Sequence, residues 1–398
     1  MGNVFCNPSS ESSPPASSSS CFCPVKKDDD NKSRGLLDFD DDLDDFKTVH
    51  SKYYWEEEGN EDGGDADDTM WHSTAMENDW ETGDEDFHVT DEELLTLKQH
   101  LRDNFAEDSP EEYMSDAYLE SVASKPYSKK PEIRRPLEYT MKKLTDVMKW
   151  RREQMAFEIP NWIELATKSR NGENPDPQNV SEGKWKTIRT LVSVLNTGST
   201  YVHGHTKEGR PVLWIRTCRK QWYADADAEA TLLILVLDAA VRCGMPRGIT
   251  DFCIISHSYK PPPPNPKALY KMLNGLVKGY PDRMRVLISA PVSKVVQFVM
   301  GLLLPLMPGR LAEKFQFLSV DTVNEQLEEL LLNGKDDIPT FFGGISKKHE
   351  QYYPGEEAVK SKKGILEFDY YGMVERLKND SDAFQKRKPH VAFYLQQQ

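Results

Sequence analysis

"NPKALYKMLNGLVKGYPDRMRVLISAP", residues 265–291, holds the change of pattern that decides the fold. Residues 265–280 read as a helix with Pro266 near its start. Residues 283–290, "RMRVLISA", read as a strand. The alternation continues on both sides. Upstream, "RPVLWIR" (210–216) is a strand after a turn at Glu208-Gly209. "EATLLILVLDAAVRC" (229–243) is a long, nearly buried helix, and "ITDFCIIS" (249–256) a second strand. Downstream, "FQFLSV" (315–320) is a further strand. "DTVNEQLEELLLNG" (321–334) is a helix capped by Asp321 or Thr322 and ended by Gly334. Strands alternating with helices predict an α/β fold with a mainly parallel sheet and right-handed crossovers. Near-continuous apolar strands predict a sheet covered on at least one face.

Ahead of this pattern the periodicity is helical. Asp91 with Leu94, Leu95, Leu97 and Leu101 predicts a capped amphipathic helix. "LEYTMKKLTDVMKWRR" (137–152) sets Leu137, Met141, Leu144 and Met148 on one stripe. "NGENPDPQN" (171–179) reads as a linker. The chain therefore divides into a tail (1–90), a helical module (91–170), an α/β domain (180–345) and a C-terminal extension (346–398).

Charge is unevenly spread. Residues 1–93 hold 27 acids against 6 bases, a net of −21, whereas residues 94–398 hold 38 acids against 44 bases, a net of +6. "SSESSPPASSSS" (9–20) and "DFDDDLDD" (38–45) cannot bury enough apolar area to offset chain entropy, so the tail is expected to be disordered. Its Asp runs lack the loop glycine and closing glutamate of a calcium loop. Aromatics among the acids (Tyr53, Tyr54, Trp55, Trp71, Trp80) leave two readings, spacer or docking motifs for a protein partner. Three of the six cysteines lie in the tail and none forms a C-x-x-C pair, which suits a reducing, cytoplasmic setting. No secretory signal pattern opens the chain. "MGNVFC" offers Gly2 for myristoylation and Cys6 for palmitoylation; two acyl chains anchor stably where one does not.

Motifs that mark chemistry are missing. There is no phosphate-binding P-loop, no nucleophile elbow and no dinucleotide fingerprint. "HGH" (203–205) lacks a third ligand at metal-site spacing and reads as part of a polar hairpin. "PPPP" (261–264) is a stiff loop or a polyproline ligand. The readings are non-enzymatic, with no metal, no cofactor and no nucleic-acid partner.

One segment is out of character. "KVVQFVMGLLLPLMPGRLAEKFQFL" (294–318) is almost wholly apolar between Val295 and Met307. It is too short for a membrane span of about 20 residues, and it contains Gly301 and Pro305. A buried core helix and the wall of a pocket both remain as readings.

Several short motifs, in order from about Asp116 to Gly344, resemble the CRAL-TRIO lipid-binding fold of Sec-fourteen-like transfer proteins. "SDAYLESVAS" and "LEYTMKKLTDVMKWRRE" resemble its helical N-terminal module. "TKEGRPVLWIR", "GYPDRMRVLISAP", "EKFQFL" and "IPTFFGG" resemble its later landmarks. The resemblance implies a mainly parallel sheet with covering helices and a lipid cavity, behind a small all-helical module. It implies a bound phospholipid, with phosphatidylinositol among the choices, and peripheral contact with a membrane surface. It makes the apolar run a gate over the cavity, formed by Val295, Val296, Phe298, Val299, Met300, Leu302, Leu303, Leu304 and Leu306. It places Asp282 and Lys314 where an acid and a lysine pair near the inositol headgroup; a purely structural ion pair is the other reading. "YLESVAS" lacks the bases often found there, and Ser256 stands where the family often has Asp. A lipid carrier and a protein-interaction adaptor that has lost its lipid are the two functional readings. Basic "KSKK" (360–363) and "QKRK" (385–388) either touch anionic lipid or lie on a solvated helix.

Overall fold

The computed structural model describes residues 87–105, 111–127, 130–170, 182–221, 225–262, 265–292, 298, 300–301, 312–360 and 365–387. All belong to one compact unit, Glu56–Gln398. The acidic tail up to residue 86, the 171–179 linker and most of the apolar run lie outside the described residues.

Helix α1 (Asp91–Phe105) buries Leu94, Leu97, Leu101 and Phe105. Thr90, not Asp91, caps it. The Thr90 hydroxyl accepts from the Glu93 N–H while Glu93 accepts from the Thr90 N–H, a reciprocal capping box. Leu95 is 62% exposed, because it falls about 100° from Leu94 and off the buried stripe. Helix α2 (Asp116–Ala123) starts at the Ser115 cap. A small hairpin, β1 (Pro126–Tyr127) with β2 (Lys130–Arg134), leads into α3 (Leu137–Glu153). There Leu144 and Met148 are fully buried, and Leu137 and Met141 pack partly buried against the same core. Helices α4 (Ile159–Arg170) and α5 (Glu182–Asn196) follow.

The sheet has five strands in the order β3 (Thr200–His205), β4 (Pro211–Arg216), β5 (Phe252–His257), β6 (Met284–Ala290), β7 (Phe315–Phe317). The β4–β5, β5–β6 and β6–β7 pairs are parallel, as the alternation predicts. Edge strand β3, which carries "HGH", runs antiparallel to β4 and completes the hairpin expected there. The turn between them holds Gly209 at φ 86, a conformation that favours glycine. Helix α6 (Ala226–Gly244) joins β4 to β5, and α7 (Pro266–Gly279) joins β5 to β6. Helix α6 starts three residues before the predicted point, because Asp225 accepts from the N–H groups of Asp227 and Ala228.

Three boundaries differ from expectation. Strand β5 begins at Phe252 rather than Ile249, since the α6 end runs through a 3₁₀ turn to Arg247. Strand β7 stops at Phe317, because Ser319 already caps α8 (Val320–Leu330) through the Thr322 N–H. The capping residue is therefore Ser319, not Asp321 or Thr322. It ends before Gly334, because Leu331 turns extended and bridges Thr206.

The C-terminal extension is part of this unit. A short 3₁₀ turn, Lys348–Tyr352, sets His349 and Tyr352 into the interior, and α9 (Glu356–Lys360) and α10 (Tyr370–Arg387) follow. Asn196, at the end of α5, donates to the Ile365 carbonyl and accepts from the Glu367 and Phe368 N–H groups, which fixes the approach to α10.

Candidate functional site

Cross-strand neighbours in register share a face of a sheet. Tyr201, Trp214, Ile255, Ile288 and Gln316 form one such row, and Arg216, His257 and Ala290 the next towards the carboxyl ends of the parallel strands. The segment 341–352 meets this face. Trp214 lies edge-on to His349 at 4.6 Å and to Phe341 at 6.2 Å. Tyr352 stacks on Tyr201 at 4.4 Å, and His257 meets Phe342 at 4.9 Å. Three polar tips are bonded within the layer. Trp214 Nε1 donates to the His203 carbonyl at 2.8 Å. The Tyr201 hydroxyl lies 3.0 Å from His349 Nδ1, and the Tyr352 hydroxyl 3.0 Å from His203 Nδ1.

Burial keeps these imidazoles neutral. It lowers the pKa of His203 and His257 to about 4, helped by the charges of Lys348 and Arg216 respectively. His349, buried beside His203, falls to about 2. The two histidines of "HGH" part company, since His205 is bonded to Ser381 of α10 at 2.8 Å.

Ser256 takes part in a buried hydroxyl chain. It lies 3.2 Å from Ser258, which lies 2.7 Å from Ser289 on β6. These hydroxyls link the carboxyl ends of two adjacent parallel strands, the region where open α/β sheets bind ligands.

The helical module is fastened to the sheet by charge. Asp282, at φ 60 in the turn before β6, accepts from Arg135 Nη2 at 2.9 Å, and Lys143 lies 3.7 Å away. Burial alone would raise the Asp282 pKa; Lys143 and Arg135 outweigh it and hold the carboxyl well below the usual range. Arg283 donates to Thr250 at 2.5 Å and to Ser121 of α2. Deeper in, Arg151 of α3 pairs with Asp238 of α6, which also accepts from the Tyr280 hydroxyl.

The sequence-predicted site residues fall as follows. The partners of Asp282 are Arg135 and Lys143. The Lys314 carbonyl accepts from the Leu287 N–H, where β7 begins to pair with β6. Phe298 and Met300 lie in a helical segment; Phe298 is 69% exposed and Met300 partly buried. Val295, Val296, Val299, Leu302, Leu303, Leu304 and Leu306 lie outside the described residues, as do Gly2 and Cys6. Sequence reasoning missed Arg135, Arg216, His257 and the aromatic layer. The signal for Arg216 and His257 was their position as the last residue of a strand.

Among the described residues no helix is long and apolar enough to cross a membrane. A search of curated proteins gave no match. A comparison with protein families matches residues 195–344 to the CRAL/TRIO domain. The matched stretch starts in the last turn of α5, spans all five sheet strands and ends at Gly344. Residues 195–344 of this chain are thus a CRAL/TRIO domain, a module that binds and transfers lipophilic ligands.

Proposed function

We propose that this domain carries one phospholipid and transfers or presents it between membranes, as Sec-fourteen-like proteins do. The observation that supports the reading is the CRAL/TRIO match across β6 and β7, whose connection contains the apolar run 295–307. A diacyl lipid exposes about thirty methylenes. At ~0.8 kcal/mol each, water would oppose its transfer by on the order of 20 kcal/mol. A carrier has to offer apolar surface that matches the bilayer, and the run 295–307 supplies it as a gate. In this reading Lys314 and Asp282 serve the headgroup, and acylated Gly2 and Cys6 hold the chain at a membrane surface.

Native mass spectrometry of the purified full chain tests the proposal. A co-purified phospholipid mass, exchangeable with labelled vesicles, is the expected result. A lipid-free mass with no uptake from vesicles overturns it in favour of a protein-interaction adaptor.

A further inference from the structure

Among the described residues, three buried nitrogens around the ends of β4 and β5 have no hydrogen-bond partner: Arg216 Nε, Arg219 Nη1 and His257 Nδ1. An unsatisfied buried donor costs about 1–3 kcal/mol, so such groups are rare in native proteins. Here they share one neighbourhood. Arg216 and His257 are ladder partners, and both lie against Phe341, at 4.1 and 5.1 Å. His349 meets the same ring at 5.6 Å. Arg219 follows three residues after Arg216, with its guanidinium 4.1 Å over Tyr353. Burial, and then the Arg216 charge, lower its pKa to about 10, so Arg219 stays cationic at neutral pH. Tyr201 feels both charges.

Among the described residues neither arginine has a carboxylate partner. The contrast is with Arg135, Arg151, Arg210 and Arg247, which hold Asp282, Asp238, Asp251 and Asp382. Arg216 and Arg219 are only partly buried, so an incoming group can reach them, while His257 is 7% exposed. The Arg216 guanidinium lies over Phe341 and that of Arg219 over Tyr353, so each is held in place by an aromatic ring and not by a carboxylate.

We propose that Arg216, Arg219 and His257 form a binding site for a phosphate group. A guanidinium fork matches two phosphate oxygens, and two forks with an imidazole N–H provide donors for a tetrahedral anion. The phosphate comes either from a phospholipid headgroup or from free phosphate in solution. The headgroup source rests on the carrier reading; the free-phosphate source does not.

The test uses the full chain, with Arg216→Gln and Arg219→Gln beside it. Calorimetric titration with inorganic phosphate probes the free anion. Sedimentation with phosphatidylcholine vesicles, with and without phosphatidic acid, probes the headgroup. Saturable binding in at least one arm, weakened about tenfold or more by each variant, is expected. Binding to phosphate alone assigns a solution anion, and binding to phosphatidic acid vesicles alone assigns a lipid. No saturable binding by the wild-type chain in either arm overturns the site, whatever the variants do. Variant affinities equal to wild type overturn it too. If Arg216→Gln fails to fold, Arg219→Gln, which lies beyond the end of β4, decides alone. A lipid-loaded chain whose phosphate affinity ignores both arginines would sink the site and spare the carrier reading. A chain without lipid that still binds phosphate through them would do the reverse.

Discussion

Arg135 Nη2 lies 2.9 Å from Asp282 Oδ2, and this contact ties the hairpin of the helical module to the turn that opens β6. Arg135 is 3% exposed, so the pair is shielded from water on one side. Removing one member of such a pair leaves the other charged and buried, at a cost on the order of 3 kcal/mol. Arg135→Ala should lower stability by about that much in urea unfolding. Asp282→Asn should cost less than Asp282→Ala. The backbone there sits at φ 60, which Asn tolerates and Ala resists by about 1 kcal/mol. Equal losses for Asn and Ala would show that the turn carries no conformational demand.

The neutral histidines make stability depend on pH. In the unfolded chain they take up protons near pH 6.5; folded, His203, His205 and His257 do so only near 4, and His349 near 2. Between about pH 6.5 and 4 the unfolded state binds more protons. Stability is therefore full above 6.5 and falls as the pH drops through that window. Each histidine contributes at most about 1.4 kcal/mol per pH unit. Thermal melts from pH 7 to pH 4.5 should show the decline, and His349→Gln should make it shallower. A flat profile would mean that these rings are wet.

Gly279, the last residue of α7, packs under Trp150 of α3. A methyl group there would overlap the indole ring. Gly279→Ala should destabilise by roughly 1–3 kcal/mol despite improving helix propensity. Trp150 emission should shift as the ring is displaced, and a stabilised variant would contradict the packing.

If the run 295–307 is a gate, a charge on it should block exchange and leave the fold intact. Leu303→Asp places a carboxylate mid-run. Reaching the bilayer interior with it costs on the order of 3 kcal/mol, about a hundredfold in transfer rate. A normal melt with transfer lost supports the gate. A collapsed melt marks a core helix, and normal values of both remove Leu303 from the gate.

Attachment through Gly2 and Cys6 predicts that Gly2→Ala moves the protein from membranes to cytosol, because one remaining acyl signal binds weakly. Unchanged fractionation removes acylation from the account.

Much of the α/β pattern was legible because strand and helix periods differ and caps are local. Asn265 before Pro266, and Glu208-Gly209 before β4, are short-range signals. Strand β3 was legible only as the "HGH" side of a polar hairpin, and its burial was not. "TYVHGH" alternates poorly and owes its burial to Tyr352, His349 and Met373, some 150 residues further on. The contact of Asp282 with Arg135 was missed for the same reason. Nothing local in "EIRRPLEY" says that Arg135 meets the turn before β6.

The family match ends at Gly344, but the folding unit does not. Strand β3 is a sheet edge, and its Val202 N–H is directed at Met373 Sδ of α10, 3.4 Å away. A fragment cut at residue 344 would lose that cover together with the rings that seal Trp214 and Tyr201. It would display a bare strand edge, which is a template for chain-to-chain pairing. The boundary of shared ancestry and the boundary of solubility are therefore different places in this chain, and the second lies beyond Met373.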